Sequence, residues 1–340
     1  MGKITKRDIC RGYLDRKSLK GLPTLTLAKK IYGENIEEFI NLESVRSCLR
    51  YLRGASGQKR RDHVERLKED KGYAKDNPNN LNPFPLLPKP IKHFENWGHF
   101  QVEDSEKMLC LYDVHVPFHD QEALEVALSH AEEEGVDCIL LAGDTADFFS
   151  ISFHEKNPKM RDFAGEIVLV RQFLEHLRGR FPDARIIYKW GNHEVRMNRY
   201  YTVKAPELLF VDDFQFKSIM RLDELGIELI DDMRLVQFQD YVLCHGHEFF
   251  GGGGGAYPAK SYFMKAKTNI ISGHLHRISE YSEQDLFGNI KRAYSSGCLC
   301  SKNQDYAQIN FWQHGFVIMH KGKKGKAKVD NLLIVDGEIV

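Results

Sequence analysis

Five short polar motifs, each placed directly after an apolar run, constrain the fold of this chain more than any other feature. The motifs are Asp113–His115, Gly143–Asp144, Gly191–Glu194, His245–His247 and Gly273–His276. Apolar runs of this length predict buried strands, and the amphipathic stretches between them predict helices. Because strands alternate with helices, a parallel sheet is expected, with the strands' carboxyl ends at one edge. We therefore expect the five motifs to meet at one sheet edge.

The apolar and amphipathic patterns predict the individual elements after residue 96. Strands are predicted at 108–113, 136–144, 184–192, 227–230, 241–246, 269–274, 315–322 and 331–337, and helices at 121–135 and about 159–180. Gly135 is expected to end the first of these helices, since glycine readily adopts the left-handed conformation of a helix end.

The motif side chains offer the oxygen and nitrogen atoms that bind metal ions. The candidate ligands are Asp113, His115, Asp144, Asn192, His245, His274 and His276. This mixture suits manganese, iron, zinc or nickel better than calcium. Two divalent ions about 3.5–4 Å apart supply most of what phosphoester hydrolysis needs. We therefore predict a two-metal site for phosphoester hydrolysis, with Asp144 as the bridging carboxylate.

Over residues 107–322 these motifs resemble the calcineurin-like metallophosphoesterase superfamily. The resemblance implies an α/β fold of four layers, with two packed mixed β-sheets flanked by helices. It implies that one ion is held by Asp113, His115, Asp144 and His276, and the other by Asp144, Asn192, His245 and His274. It also implies that His193 binds no metal, faces the substrate and protonates the leaving oxygen. The expected cofactors are two divalent ions, manganese first, with iron, zinc or nickel as alternatives.

Three residues beside the motifs have two interpretations each, and the role of a fourth is open. Asp147 either orients a ligand histidine or caps a helix. Arg196 and Arg199 either bind substrate phosphate or lie on the surface. His247 lies near the metals if His245 is a ligand, and its role stays open. The glycine run at 251–255 is either a mobile loop over the site or a plain flexible loop.

The seven cysteines, an odd number, do not form the pattern of a disulfide framework. The pair Cys298 and Cys300 is interpreted as structural, although two thiolates can also bind metal. No apolar stretch reaches transmembrane length, and the first residues lack the apolar core of a signal peptide. These features predict a cytoplasmic protein without membrane contact.

Residues 1–72 form a basic region, with 18 Lys and Arg against 10 Asp and Glu, so 18 − 10 = +8. Their pattern predicts a small all-α module of three short helices, similar to a helix-turn-helix. Arg46, Arg50 and Arg53 lie on one face of the third helix, which suits nucleic-acid binding; the alternative is a solvated basic face. Residues 73–95 hold five of the eleven prolines and predict a stiff linker. Residues 96–340 then form the metallophosphoesterase domain.

Three functions are compatible with this organisation. The first is a phosphodiesterase or nuclease that acts on DNA or RNA through the basic module. The second is a phosphomonoesterase for proteins or small molecules, with a partner-binding module. The third is a non-catalytic DNA-binding protein, which the complete ligand set and His193 disfavour. The layout also resembles some bacteriophage-encoded members of the superfamily. The oligomeric state is left open.

Overall fold

The computed structural model describes residues 5–19, 21–54, 98–153, 162–249, 256–303, 307 and 309–340. The chain divides into two compact units, Met1–His93 and Phe94–Val340, and each is described by itself. The predicted linker at 73–95 and the glycine run at 251–255 lie outside the described residues.

The first unit contains the three predicted helices. They are α1 (Lys6–Leu14), α2 (Thr24–Glu34) and α3 (Leu42–Leu52). Thr5 caps α1 by accepting a hydrogen bond from the backbone of Asp8, and Asn41 caps α3 through the backbone of Ser44. Their apolar faces meet in one core, whose fully buried members include Cys10, Leu27, Ile31, Val45 and Leu49. The described residues of this unit therefore form a small bundle of helices around one core.

The second unit alternates strands and helices before it ends in a series of strands. Its elements in chain order are β1 (Phe100–Gln101), β2 (Lys107–Leu111), α4 (Gln121–Glu134), β3 (Cys138–Ala142), α5 (Phe163–Arg180), β4 (Arg185–Lys189), α6 (Val195–Lys204), α7 (Phe216–Ile219), β5 (Ile227–Ile230), β6 (Val236–Phe238), β7 (Tyr241–Leu243), α8 (Pro258–Ala266), β8 (Ile270–Ser272), β9 (Ser279–Gln284), β10 (Ile290–Ser295), β11 (His314–His320), β12 (Lys328–Val335) and β13 (Glu338–Ile339).

The strands form two mixed sheets. A seven-stranded sheet has the order β13-β12-β11-β2-β3-β4-β5, in which β2, β3, β4 and β5 are parallel. A six-stranded sheet has the order β1-β6-β7-β8-β10-β9, in which β7, β8 and β10 are parallel. The sheets face each other across one apolar core, which joins Cys110 and Leu140 of the first to Phe238 and Ile271 of the second.

Helices cover the outer faces of both sheets. On the seven-stranded sheet, Leu128 of α4 and Leu174 of α5 share a core with Ile139. On the six-stranded sheet, Tyr262 of α8 shares a core with Ile270. The order helix, sheet, sheet, helix confirms the four-layer fold.

A predicted helix end agrees with the structure where the residue at that position strongly favours ending a helix. Gly135 adopts a left-handed conformation and ends α4. Asp162 caps α5, and the predicted start near residue 159 lies outside the described residues. Among the described residues, no helix has both the length and the apolar character needed to cross a membrane.

Candidate metal centre

The candidate ligands follow strands of both sheets. Asp113, Asp144 and Asn192 follow the parallel neighbours β2, β3 and β4 of the seven-stranded sheet. His245 and His274 follow β7 and β8 of the six-stranded sheet. The expectation that all five motifs share one sheet edge is therefore wrong. The motifs meet where the carboxyl ends of two facing sheets come together.

A first group of donor atoms comes from Asp113, His115, Asp144 and His276. The Nε2 atom of His276 lies 3.1 Å from Oδ1 of Asp113 and 3.3 Å from Nε2 of His115. The same His115 nitrogen lies 3.8 Å from Oδ1 of Asp113 and 3.8 Å from Oδ2 of Asp144. Four donors from three loops therefore point at one small volume.

A second group comes from Asp144, Asn192, His245 and His274. The Nε2 atom of His245 lies 3.2 Å from Oδ2 of Asp144, 3.1 Å from Oδ1 of Asn192 and 3.2 Å from Nδ1 of His274. Oδ2 of Asp144 therefore belongs to both groups. This shared oxygen is the geometry expected of a carboxylate that bridges two ions.

The electrostatics of the two groups fit bound cations. Oδ1 of Asp113 is buried, and no described group makes a hydrogen bond to it. Burial lowers the pKa of His245, but the Asp144 and Asp113 carboxylates outweigh it and raise the pKa to about 9. The site therefore favours positive charge strongly. Buried carboxylate, amide and imidazole donors in this ratio suit first-row divalent ions.

The backbone at the candidate ligands is strained. Five of them adopt left-handed conformations, with φ between 52° and 70°: Asp113, His115, Asp144, His274 and His276. Such conformations cost non-glycine residues of order 1 kcal/mol or more and cluster at functional sites. The surrounding fold therefore imposes ligand positions that the local sequence does not favour.

Asp147 orients two histidines and caps no helix. Its Oδ2 lies 2.9 Å from Nδ1 of His115, which leaves Nε2 of that ring for the first donor group. It also lies 3.3 Å from Nδ1 of His193. A carboxylate on the far nitrogen fixes the tautomer and direction of a ligand histidine.

His193 lies beside the donor groups and is held from two sides. Nη2 of Arg196 lies 2.9 Å from its Nε2, and a guanidinium can only donate, so this nitrogen accepts. Nδ1 therefore carries the proton and donates to the backbone oxygen of Asp147, 2.9 Å away. Nε2 also lies 3.6 Å from Oδ2 of Asp144. Nε2 of His193 thus accepts a hydrogen bond from Arg196 next to the Asp144 carboxylate.

The two arginines after this motif have different positions. Arg196 is mostly buried and also donates to the backbone oxygen of Asp147, at 2.9 Å, so it is part of the site. Arg199 is exposed and stacks on Phe153 at 4.0 Å, and it has no contact with the donor groups. The phosphate-binding interpretation therefore keeps structural support only for Arg196.

His247 and the cysteine pair also lie close to the centre. The rings of His247 and His245 are 5.3 Å apart, and burial lowers the pKa of His247 to about 4, so it is neutral. Sγ of Cys300 lies 3.8 Å from Nδ1 of His276, and Cys298 is buried beside it. The cysteine pair was interpreted as structural. No local pattern in the sequence shows that Cys300 lies beside His276, which precedes it by 24 residues.

Glu194 is a functional residue that the sequence did not reveal. It belongs to the motif Gly191–Glu194, but the motif alone assigned it no role. It accepts hydrogen bonds of 2.7–3.1 Å from the backbone N–H groups of Asp144, Thr145, Ala146 and Gly191 and from the hydroxyl of Tyr188. Burial and the nearby Asp144 carboxylate raise the pKa of Glu194, and the N–H donors oppose that rise. This side chain ties the loop of Asp144 to the loop of Asn192 and His193.

Glu248 performs a similar task at the second donor group. Its carboxylate accepts from the backbone N–H groups of His245 and Gly246, at 3.0 and 2.6 Å. It forms a buried ion pair of 3.0 Å with Lys189. Burial raises the pKa of Glu248, but Lys189 outweighs it and the pKa falls to about 2. Lys189 and Glu248 therefore fix the loop that carries His245.

The motif glycines are required because ligand side chains pack directly on their Cα atoms. A Cβ on Gly143 would lie 2.5 Å from Nδ1 of His245, and a Cβ on Gly191 would overlap the carboxylate of Asp144. Close approach of this kind is a common reason for glycine at a binding site. The glycines therefore let the two sheets bring their ligands together.

We expect Gly191→Ala to abolish binding of both metal ions, because the added methyl group displaces the Asp144 carboxylate. The matched control is Gly179→Ala in α5, where an added Cβ meets no atom within 4 Å. That control should bind metal normally and gain about 0.5–1 kcal/mol of stability, since alanine favours helix. Metal content by atomic emission and unfolding by urea measure both effects. Full metal content in Gly191→Ala would contradict the packing argument.

Arg46 and Arg50 lie on α3, and Arg53 is the residue that follows its last turn. Nη1 of Arg46 lies 2.9 Å from Glu43, and Nη1 of Arg50 lies 3.8 Å from the same carboxylate. Arg53 instead donates to the hydroxyl of Thr24. Residues 35–41 separate α2 from α3, which is longer than the turn of about 3–4 residues in a helix-turn-helix. Arg46 and Arg50 therefore form the accessible basic face.

The similarity of this chain to known proteins is limited to solved structures. Comparison with family profiles and with curated proteins gives no match. Among solved structures, the chain is similar to Vps29 complexed with zinc from Entamoeba histolytica, with TM-score 0.35, 12% identity, and coverage of 69% of this chain and 96% of that chain. It is also similar to YfcE, a phosphoesterase from E. coli, with TM-score 0.31, 14% identity, and coverage of 66% and 98%. A dimetal phosphatase from Danio rerio matches with TM-score 0.35, 12% identity, and coverage of 66% and 98%.

Proposed function

We propose that this protein is a phosphoester hydrolase of the calcineurin-like metallophosphoesterase kind, working with two divalent ions. The observation that carries the proposal is that Oδ2 of Asp144 is shared by two groups of donor atoms. When bound, the two ions supply a nucleophilic water at neutral pH and offset charge on the phosphoryl oxygens. The residues that would hold them are Asp113, His115, Asp144 and His276 for one, and Asp144, Asn192, His245 and His274 for the other. Manganese is our first choice, with iron, zinc or nickel as alternatives.

His193 is proposed as the acid that protonates the leaving oxygen. Its Nδ1 is fixed by the backbone oxygen of Asp147, so Nε2 is the only nitrogen that can exchange a proton with substrate. Nε2 takes up a proton from solvent, which it can then deliver to the leaving oxygen, and in that state it no longer accepts from Arg196. A phosphoryl group then offers that guanidinium a new, bidentate partner. We infer that Arg196 moves from His193 to the phosphoryl oxygens when substrate binds.

We expect His193→Ala to retain both metal ions and to lose about 10²–10⁴-fold in kcat, the usual contribution of a positioned acid. His176→Ala, an exposed histidine in α5, serves as the control and should leave kcat unchanged. The measurement is turnover of bis-p-nitrophenyl phosphate together with metal content. If His193→Ala loses its metals instead, the residue is a ligand and its proposed role is wrong.

The proposed substrate is a nucleic-acid phosphodiester, which makes the enzyme a phosphodiesterase or nuclease. Support comes from the excess of basic residues before residue 73 and from the accessible Arg46 and Arg50 on α3. Phosphate backbones are recognised mainly through such basic side chains. A cytoplasmic location is part of the proposal, because all seven cysteines, each in a described segment, are free thiols.

The substrate class is tested with manganese-loaded protein on three substrates: bis-p-nitrophenyl phosphate, p-nitrophenyl phosphate and labelled DNA. We expect turnover of the first and third. DNA binding should weaken with salt, and it should fall about 10-fold further in the Arg46→Ala/Arg50→Ala variant. Turnover of p-nitrophenyl phosphate alone would favour a phosphomonoesterase. No turnover with two ions bound would contradict the hydrolase proposal.

A further inference from the structure

A groove of about 370 Å³ lies next to the first donor group, and the function proposed above does not use it. Its lining includes Pro258, Arg277, Ser279, Phe311, Trp312 and Gln313. Its volume falls in the lower part of the range for small-ligand sites. Arg277 follows His276 directly in the chain, so the groove begins where the candidate metal centre ends.

The groove presents two aromatic rings beside the metal centre. The ring of Trp312 packs edge-on against the ring of His276, with centroids 4.3 Å apart and an angle of 64° between the planes. Phe311 is 77% exposed, although it lies beside a buried centre. An exposed aromatic side chain at the mouth of a site is suited to stacking on a flat ring of a ligand.

The aromatic segment is fixed to the segment that carries His276. The backbone N–H of Gln313 donates to the carbonyl of His276 at 2.8 Å, and the backbone N–H of Ile278 donates to Oε1 of Gln313 at 3.0 Å. The backbone N–H of Trp312 donates to Oδ1 of Asn310 at 3.0 Å. The ring of Trp312 is therefore held beside His276, which reduces the entropy lost when a ligand stacks on it.

The charge of the groove suits a ligand that carries phosphate as well as a ring. Arg277 lines the groove and is anchored by a hydrogen bond of 2.9 Å from Nη2 to the carbonyl of Ala256. Among the groove residues given above, Arg277 is the only one with a formal charge. A flat ring that is attached to a phosphoester, with a cation at its side, is the chemistry of a nucleotide.

We propose that this groove binds the nucleobase of the nucleotide whose phosphate lies at the metal centre, with Phe311 and Trp312 as the stacking residues. The proposal rests on the hydrolase function and specifies its substrate as a nucleotidyl phosphoester. Stacking is tolerant of base identity, so we expect a preference for nucleotides over simple esters without strong sequence preference.

The test compares the binding of thymidine monophosphate with that of inorganic phosphate to the manganese-loaded full-length protein, by isothermal titration calorimetry. In the wild-type protein the nucleotide should bind at least about 5-fold more tightly than phosphate. Phe311→Ala should reduce this ratio about 5-fold or more and leave the affinity for phosphate unchanged. Trp312→Phe keeps a ring against His276 and should reduce the ratio by less.

The matched control is Phe287→Ala, because Phe287 is 90% exposed in the β9–β10 turn and does not line the groove. This variant should keep the wild-type ratio. Equal affinity for nucleotide and phosphate in the wild-type protein would overturn the proposal, and so would an unchanged ratio in both groove variants. Turnover of methyl p-nitrophenyl phosphate by the same preparations tests the hydrolase function separately. Turnover with an unchanged ratio rejects the groove alone, and a changed ratio without turnover rejects the hydrolase function alone.

Discussion

Replacing Asp144 by asparagine is expected to reduce phosphodiester turnover by about 10³-fold or more. The substitution removes the negative charge from the one oxygen that both donor groups share, at 3.2 Å from His245 and 3.8 Å from His115. Two ions held about 4 Å apart repel each other, and a bridging carboxylate offsets that repulsion. Loss of about 4 kcal/mol of transition-state stabilisation corresponds to that factor. Turnover of bis-p-nitrophenyl phosphate across a manganese titration measures the effect.

The control for Asp144→Asn is Asp213→Asn, an exposed aspartate outside the site. It should retain wild-type turnover at every manganese concentration. Full activity of Asp144→Asn at saturating manganese would show that one of the other ligands bridges the ions. Such a result would contradict the assignment of the shared oxygen.

Replacing Glu194 by alanine is expected to have the largest effect on stability. The side chain accepts five hydrogen bonds inside the protein, four of them from backbone N–H groups of the two ligand loops. Each buried donor left without a partner costs about 1–3 kcal/mol. Partial relaxation and water entry reduce the sum, so we expect a loss of at least about 4 kcal/mol of unfolding free energy. Urea unfolding of the metal-free protein measures it.

Metal-free protein is specified because bound ions would themselves stabilise the folded state. Glu228→Ala is the matched control: this glutamate is half-exposed and pairs with Arg185 at the surface. Its loss should cost no more than about 1 kcal/mol, as for other exposed ion pairs. Equal unfolding free energies for the two variants would show that Glu194 does not hold the loops together.

The sequence predicted individual strands and helices because buried strands and amphipathic helices leave strong local patterns, whereas the four layers were implied by the resemblance to the superfamily. Strands β2, β3 and β4 and helix α4 lie where the apolar periodicity placed them. The hairpin β9–β10 was missed, because β9 is polar and mostly exposed and lacks apolar alternation. The division of the ligands between two sheets was also missed. Short strands such as β7 and β8 carry no signal of the sheet to which they belong.

The residue types of the candidate site were predictable, and its supporting contacts were not. The motifs identify Asp144 and His245 as candidate ligands. Only the folded chain shows that Oδ2 of Asp144 lies 3.2 Å from Nε2 of His245. Local propensity gives no hint of the left-handed backbone at Asp113 or His276, since the strain is imposed by the packing around them. Contacts such as that between Trp312 and His276 join distant parts of the sequence and depend on tertiary structure.

The central claim is that one Asp144 oxygen serves two ion sites, and metal stoichiometry tests it most directly. Metal-saturated, desalted protein is analysed by inductively coupled plasma mass spectrometry as wild type and as three single variants. We predict about two ions per chain in the wild type and about one in His115→Ala and in Asn192→Ala, since each of these residues belongs to one donor group. Asp144→Asn should retain almost none. Two ions in Asp144→Asn, or one ion in the wild type, would contradict the account.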